Sequence, residues 1–135
     1  MSNLRRGTDF VWLNWLLNHP LINPWIGGNG SSVDASVVDK PNIILEAEYG
    51  AFWFIELSPG VWDAHTQFLP DSVNTYELGI EAIEYIRAQP GYKKITTQGP
   101  RDNPRAIRFL EKLGFKYTHT HGELHGLPLD HYEKI

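Results

Sequence analysis

The chain contains no cysteine. Disulfide bonds, thiolate-rich metal sites and a cysteine nucleophile are therefore excluded together. It also lacks any apolar run that approaches the roughly 18 residues needed to span a bilayer. The polar N-terminal segment, Met1 to Arg6, is not followed by the apolar region of a signal peptide. These absences predict a cytoplasmic protein with no membrane partner.

Positive charge is also scarce, because 12 Lys and Arg stand against 16 Asp and Glu, for a formal net charge of −4. General nucleic-acid binding depends on neutralising phosphates, so this balance argues against a nucleic-acid partner. Bulky apolar side chains are plentiful, with five Trp, six Tyr and six Phe in 135 residues. This length and composition predict a single domain, residues 1–135, with one core.

Apolar periodicity and turn residues predict the order of the elements. The prediction is a helix ending near Asn18, strands at Asn42–Glu48, Ala51–Leu57 and Val61–Phe68, a helix from Asn74 to Pro90, a strand at Lys94–Gln98, a helix from Asn103, and strands at Phe115–His121 and Leu129–Lys134. Residues 20–41 read as a long loop that could contain a short strand at 33–38. A strand–helix–strand crossover after a meander implies a mixed, mostly antiparallel sheet with helices on both faces, an α/β (α+β) fold.

The most informative segment, Asn103 to Phe115, reads N-P-R-A-I-R-F-L-E-K-L-G-F. Pro104 suits the first turn of a helix, and Gly114 suits its end. The pattern N-x-x-A-x-x-F-x-x-K-x-G-F resembles the last helix and following strand of the GCN5-related N-acetyltransferases (GNAT family). The element order from Asn42 onward resembles the family's second to seventh strands, whereas the N-terminal part is shortened by comparison.

This resemblance implies a GNAT-like fold, with acetyl-CoA or coenzyme A as cofactor. It further implies an N-acyltransferase that transfers an acyl group directly to an amine, on a small molecule or on a protein. Binding of coenzyme A would require the strands that end at Phe68 and begin at Lys94 to separate into a groove.

In the family, backbone N–H groups between the fourth strand and the next helix hold the cofactor's pyrophosphate, in a motif R/Q-x-x-G-x-G/A. Here the glycine positions fall on Asn74, Tyr76 and Leu78, and Gly79 comes one residue late. The resemblance assigns cofactor contacts to Phe68, Asn74, Thr75, Tyr76, Glu77, Gly79 and Asn103. This assignment needs Asn74 in the left-handed conformation. The alternative is a well-capped helix, in which Asn74 and Glu77 form a capping box and Asn103 is an N-cap.

The tyrosine that often serves the family as general acid corresponds to Leu110, which cannot donate a proton. Tyr76 and Tyr117 are substitutes for that role, although packing alone would explain both side chains.

For the general base the resemblance points to the fourth strand, where Asp63 and His65 share one polar face. Histidine has an ordinary pKa of about 6.5, which suits proton transfer near neutrality. Glu56, on the neighbouring strand, is a third candidate. The alternative is a solvated sheet face without a catalytic role.

Two further clusters of polar side chains stand out. A basic stripe along the last predicted helix consists of Arg101, Arg105, Arg108 and Lys112. It would contact coenzyme A phosphates, dock an acidic partner, or be a solvated face. The C-terminal hairpin carries His119, His121, His125 and His131. No carboxylate spacing accompanies these histidines, and H-G-E-L-H is not the zinc-protease motif, so no metal site is predicted.

Three segments are similar to small GNAT-like proteins encoded by tailed bacteriophages, some of which are named for head assembly. These segments are His19 to Gly28, Glu46 to Phe54 and Asp63 to Pro70. This resemblance implies a second function, that of a catalytically silent GNAT-fold protein in the host cytoplasm or virion, with phage structural proteins as partners. The degraded glycine motif, Leu110 and the shortened N-terminal part favour the second function.

Overall fold

A computed structural model describes residues 4–7, 10–22, 41–70, 72–101, 104–124 and 126–135. The elements are β1 (Arg5–Arg6), α1 (Phe10–Leu17), β2 (Asn42–Ala47), β3 (Gly50–Ser58), β4 (Val61–Phe68), α2 (Thr75–Arg87), β5 (Lys94–Pro100), α3 (Pro104–Lys112), β6 (Lys116–Leu124) and β7 (Leu127–Lys134). The predicted order is confirmed, and β1 is added to it. The short strand predicted at 33–38 lies outside the described residues.

All seven strands form one sheet in the order β1-β2-β3-β4-β5-β7-β6. Within the described residues β4 and β5 form a parallel pair, and the other neighbouring strands are antiparallel. The parallel pair requires a crossover connection, and α2 supplies it. The sheet is therefore mixed and mostly antiparallel, as predicted. No helix in the described part of the chain is long and apolar enough to cross a membrane.

The central strands are buried on both faces, because helices cover each side of the sheet. On one face Ile43 and Phe54 pack with α2 and with the segment that follows α3. On the other face Ile44 packs with Leu13 and Leu16 of α1. Alternate residues of a strand point to opposite faces, so the nearly continuous apolar sequence of β2 serves both cores.

The strands of the C-terminal hairpin are longer than predicted, and its turn is shorter than the predicted one. β6 continues to Leu124, and the turn contains Gly126 at φ 78°. The turn thus lies within the predicted range 122–128, but the predicted bounds are too wide because 122–124 and 127–128 belong to the strands. Gly122, at φ 81°, lies within β6 where the pairing with β7 shifts between Thr120 and Glu123. A glycine adopts this left-handed conformation at a β-bulge without ending the strand.

The start of α2 also differs from the prediction. Asn74 has φ −122° and ψ 31°, and its side chain makes no capping hydrogen bond. The predicted capping box and the left-handed conformation of Asn74 are therefore wrong. The Oγ of Ser72 and the Oγ1 of Thr75 instead lie 2.6 Å apart at the beginning of the helix.

The parallel pair β4–β5 begins as a ladder and then opens. Its paired residues are Val61 with Lys94, Trp62 with Ile95, and Asp63 with Thr96. Beyond that point β4 continues to Phe68, while β5 pairs along its length with β7. The two strands therefore separate into a fork, which is the feature that coenzyme A binding was predicted to require.

Candidate functional site

A groove of about 560 Å³ begins where β4 and β5 separate. It is lined by Leu21, Ile22, residues 64–70, Ser72, Thr75, residues 97–99, Arg105, Ala106, Phe109 and Leu110. Ala64 and Thr66 reach it from the face of the sheet that carries α2 and α3, whereas His65 and Gln67 reach it from the α1 face. The groove is therefore open to both faces of the sheet.

One buried hydroxyl crosses the fork just beyond the last paired residues. Thr97 Oγ1 donates a hydrogen bond to the carbonyl oxygen of Ala64 at 2.8 Å. The Ala64 carbonyl therefore points toward β5. Backbone polar groups of alternate residues on a strand point the same way, so the N–H of Thr66 also faces the groove. The fork thus presents a backbone donor to any carbonyl group that enters it.

Asp63 and His65, both predicted from the sequence, lie together beside the fork. His65 Nε2 is 2.9 Å from Asp63 Oδ2, and the side chains are 36% and 17% exposed. The other carboxylate oxygen, Oδ1, accepts a hydrogen bond from Thr96 Oγ1 at 2.9 Å. When Nε2–H donates to the carboxylate, Nδ1 of the neutral ring keeps the lone pair that accepts a proton. The arrangement is chemically suited to a base held in one orientation.

The third candidate base is engaged elsewhere. Glu56 Oε2 accepts a hydrogen bond from the backbone N–H of Gly60 at 3.1 Å, within the β3–β4 turn. Glu56 therefore stabilises that turn and does not line the groove.

Only some of the residues predicted to contact the cofactor line the groove. Phe68 and Thr75 line the groove. Tyr76 is partly buried against the main core, and its ring lies 4.2 Å from the Nζ of Lys112, a cation–π contact. Because Tyr76 packs there, it does not fill the groove.

Asn74, Glu77 and Gly79 are not among the residues that line the groove. Asn74 and Glu77 are exposed at the start of α2. Gly79 lies within α2, where an added Cβ would meet Leu113 and Phe109. Asn103 lies outside the described residues.

Leu110, at the position of the family's tyrosine, lines the groove. This part of the groove wall is therefore aliphatic and offers no proton donor from that position. Tyr117, one of the two predicted substitutes, is exposed on β6, and its hydroxyl lies 2.7 Å from Thr120 Oγ1.

Several residues of the groove had no site prediction from the sequence. They include Ser72, Thr97, Gln98, Gly99 and Ala106, with Thr96 behind Asp63. The consecutive polar residues T-T-Q-G in a predicted strand were the available signal. Their partners lie more than 30 residues away in the chain, so no local pattern revealed the contacts.

The basic stripe is not a single surface. Arg101 donates two hydrogen bonds to Asp130, from Nε at 3.2 Å and from Nη2 at 3.0 Å. These bonds, with one from Thr120, hold the pKa of the Asp130 carboxyl below its ordinary value. Arg105 lines the groove, whereas Arg108 is exposed on the same helix. One arginine of the stripe therefore remains in position to contact a ligand in the groove.

The histidines of the C-terminal hairpin pack against one another. The rings of His119 and His131 are stacked, with centroids 4.4 Å apart and an interplanar angle of 9°. His131 Nε2 lies 2.9 Å from the carbonyl oxygen of His121. No group of three metal-ligating side chains suited to a metal ion occurs among the described residues, from which His125 is missing.

No protein-family model and no curated protein sequence matches the chain. Solved structures do match it. The spermidine N-acetyltransferase from Vibrio cholerae, crystallised with coenzyme A and spermine, superposes with a TM-score of 0.81 at 15% identity, over 97% of this chain and 93% of that one. The ribosomal-protein-alanine N-acetyltransferase from Brucella melitensis gives 0.81 at 19% identity, over 98% of each chain.

A third structure is the aminoglycoside acetyltransferase AAC(6')-Ib with coenzyme A, which gives a TM-score of 0.76 at 20% identity, over 98% of this chain and 93% of that one. At such identities the similarity establishes the fold. The chain therefore has the acyl-CoA N-acyltransferase (GNAT) fold that its sequence predicted.

Proposed function

We propose that the protein is an acyl-CoA-dependent N-acyltransferase that transfers an acyl group directly to the amine of a small molecule or a protein. The observation that carries this proposal is the fork, because its groove is open to both faces of the sheet beside a His–Asp pair. An acyl donor can reach the fork from the α2–α3 face, and an amine can reach it from the α1 face. The spermidine N-acetyltransferase and the aminoglycoside acetyltransferase among the structural neighbours were crystallised with coenzyme A or acetyl-CoA, which supports the choice of donor.

The residues of the groove fit such a donor. Phe68 and Phe109 offer apolar walls for the pantetheine arm, and the hydroxyls of Ser72 and Thr75 lie beside the α2 N-terminus. Arg105 adds a positive charge for the phosphates. The bound thioester supplies a carbonyl carbon that the amine attacks as the C–S bond breaks. The N–H of Thr66 is placed to donate to the carbonyl oxygen, where negative charge develops.

His65 is the proposed general base, and Asp63 is its positioning residue. His65 Nδ1 takes the proton that the amine loses as the new C–N bond forms. Asp63 holds the ring through Nε2, and Thr96 in turn holds the Asp63 carboxylate. Leu110 supplies no proton to the departing sulfur. A thiol has an ordinary pKa of about 8.5, so the sulfur leaves as thiolate and is protonated by water.

The second predicted function, a catalytically silent phage assembly protein, receives no support from the structural neighbours reported above, which are enzymes. That function predicts a protein that either does not bind coenzyme A or binds acyl-CoA without transferring the acyl group.

Thermal unfolding with and without acetyl-CoA tests donor binding. A ligand at ~100 times its dissociation constant stabilises the native state by ~2.7 kcal/mol. A rise in Tm that continues with the logarithm of acetyl-CoA concentration above the dissociation constant is expected. An unchanged Tm at millimolar acetyl-CoA would refute the proposal, whereas a shift without turnover of any amine would leave a binding protein.

Substitutions then test the base. His65→Ala should lower kcat by roughly 10²- to 10⁴-fold, the usual worth of a general base. Asp63→Asn should lower kcat less and alter the pH profile, with the dissociation constant for acetyl-CoA unchanged in both variants. His121→Ala, at an exposed position of the edge strand β6, is the matched control and should leave kcat unchanged. Equal activity of His65→Ala and wild type would exclude His65 as the base.

A further inference from the structure

A small cavity lies on the α2–α3 face of the sheet, beside the point where β4 and β5 separate. Its volume is about 20 Å³, which is room for one water molecule or one methyl group. Ala64, Thr66, Thr97, Phe109 and Leu110 line both this cavity and the groove. The cavity therefore adjoins the groove at the fork.

The rest of the cavity wall is apolar. It is formed by Phe52, Phe54, Gly79, Ala82, Ile83, Leu113 and Phe115. Of the two hydroxyls in the wall, that of Thr97 already donates to the Ala64 carbonyl. A buried water needs two to four polar partners, so an aliphatic group suits this space better than water does.

The cavity lies at the reactive end of the groove. Ala64 and Thr66, which line it, flank His65 on β4. The carbonyl group of a donor must come to this part of the fork to lie within reach of His65. The substituent on that carbonyl then lies against the wall that the groove and the cavity share. Ser72 and Thr75, which lie beside the α2 N-terminus, line the groove but not the cavity. The cavity is therefore separate from the part of the groove that is proposed to hold the phosphates of the donor.

We infer that the donor site takes short acyl groups longer than acetyl, propionyl above all, with the terminal methyl in the cavity. This inference rests on the proposed function and names the acyl group of its donor. One buried methylene is worth about fourfold in a dissociation constant. A second additional methylene exceeds the space, so the gain ends at three carbons.

Isothermal titration calorimetry with coenzyme A, acetyl-CoA, propionyl-CoA and butyryl-CoA tests the inference without an acceptor. Propionyl-CoA is expected to bind about fourfold more tightly than acetyl-CoA, and butyryl-CoA no more tightly than propionyl-CoA. If acetyl-CoA binds and propionyl-CoA binds no more tightly than acetyl-CoA, the inference is overturned and the proposed function stands. Binding of none of the four compounds would overturn both.

Two substitutions change the cavity from the side away from the groove. Ala82→Val, at a buried position of α2, fills the cavity and should abolish the preference for propionyl-CoA while acetyl-CoA still binds. Phe115→Leu enlarges it and should move the preference to butyryl-CoA. Ile80→Val, on the exposed side of α2, is the control and should keep the wild-type order. If neither cavity variant changes the preference for propionyl-CoA, that preference arises in another part of the protein and the inference is wrong.

Discussion

At the residue scale, Arg105 and Arg108 provide a natural comparison, since both are exposed arginines on α3 and only Arg105 lines the groove. An exposed charge pair contributes little, about 0.2–1 kcal/mol, and is screened by salt. Arg105→Ala should therefore raise the dissociation constant for coenzyme A by roughly two- to fivefold at low ionic strength, and Arg108→Ala should not. Calorimetry at two salt concentrations measures this. If both variants raise the dissociation constant equally, coenzyme A responds to the net positive charge of the helix and makes no specific contact with Arg105.

Asp130 is a buried carboxylate that joins the residue after β5 to the C-terminal hairpin. It is buried on β7 and accepts hydrogen bonds from Arg101 and, at 2.7 Å, from Thr120 Oγ1. Arg101 also donates its backbone N–H to the Pro128 carbonyl. These contacts fix the end of β5 against the C-terminal hairpin.

The lowered pKa of Asp130 gives a pH dependence of stability. The folded state holds the carboxyl pKa below the ordinary value of 3.8, so the contribution is present above pH 3.8 and is lost as pH falls through the folded pKa. Asp130→Asn should lower the free energy of unfolding by about 1–3 kcal/mol near neutral pH. Urea unfolding from pH 7 to pH 3 should show the difference from wild type shrinking at the acid end. A constant difference would show that ionisation of Asp130 is not its source.

At the element scale, the turn between β3 and β4 sets the closed end of the fork. Gly60 has φ 82°, and its carbonyl oxygen accepts hydrogen bonds from the backbone N–H groups of Lys93 and Lys94. Its own N–H donates to Glu56. One glycine thus joins the β3–β4 hairpin to the beginning of β5, and this contact determines where the parallel ladder starts.

Gly60→Ala and Gly91→Ala form a matched pair. Both glycines have positive φ, 82° and 74°, which costs an alanine about 1–2 kcal/mol. A Cβ at Gly60 would also collide with the Gly91 carbonyl and approach Lys93, whereas a Cβ at Gly91 meets no atom within 4 Å. Gly60→Ala should therefore lower the free energy of unfolding by clearly more than Gly91→Ala. Chemical denaturation measures the free energy of unfolding of both variants. Equal decreases would mean that the positive φ alone, and not the added collision at Gly60, accounts for the loss of stability.

The elements that were predictable are those with a strong local pattern. The α3 segment carries proline at its first residue and Gly114, at φ 94°, after its end, so its bounds could be read within a few residues. β1 was missed because its two residues, Arg5 and Arg6, are exposed and show no alternation. Gly122 was misread as a turn because a bulge and a turn need the same glycine conformation.

At the scale of the whole molecule, the fold was predictable and the organisation of the site was predictable in part. Asp63 and His65 could be paired, since they lie two residues apart on one strand face. Thr96 and Thr97, which hold Asp63 and Ala64, are each 33 residues distant from those partners. Only the tertiary structure brings them together. The groove itself is a property of two diverging strands, and no sequence pattern encodes that divergence directly.

The opening of the groove to both faces of the sheet has a kinetic consequence. In the proposed reaction, an acyl donor and an amine that enter from opposite sides need not wait for each other to leave. The proposed N-acyltransferase should therefore work through a ternary complex, so double-reciprocal plots at several fixed amine concentrations are expected to intersect, and parallel lines would contradict this. Desulfo-coenzyme A should inhibit competitively against the thioester and not against the amine. It would block the entrance on the α2–α3 face, while the entrance on the α1 face stays open to the amine.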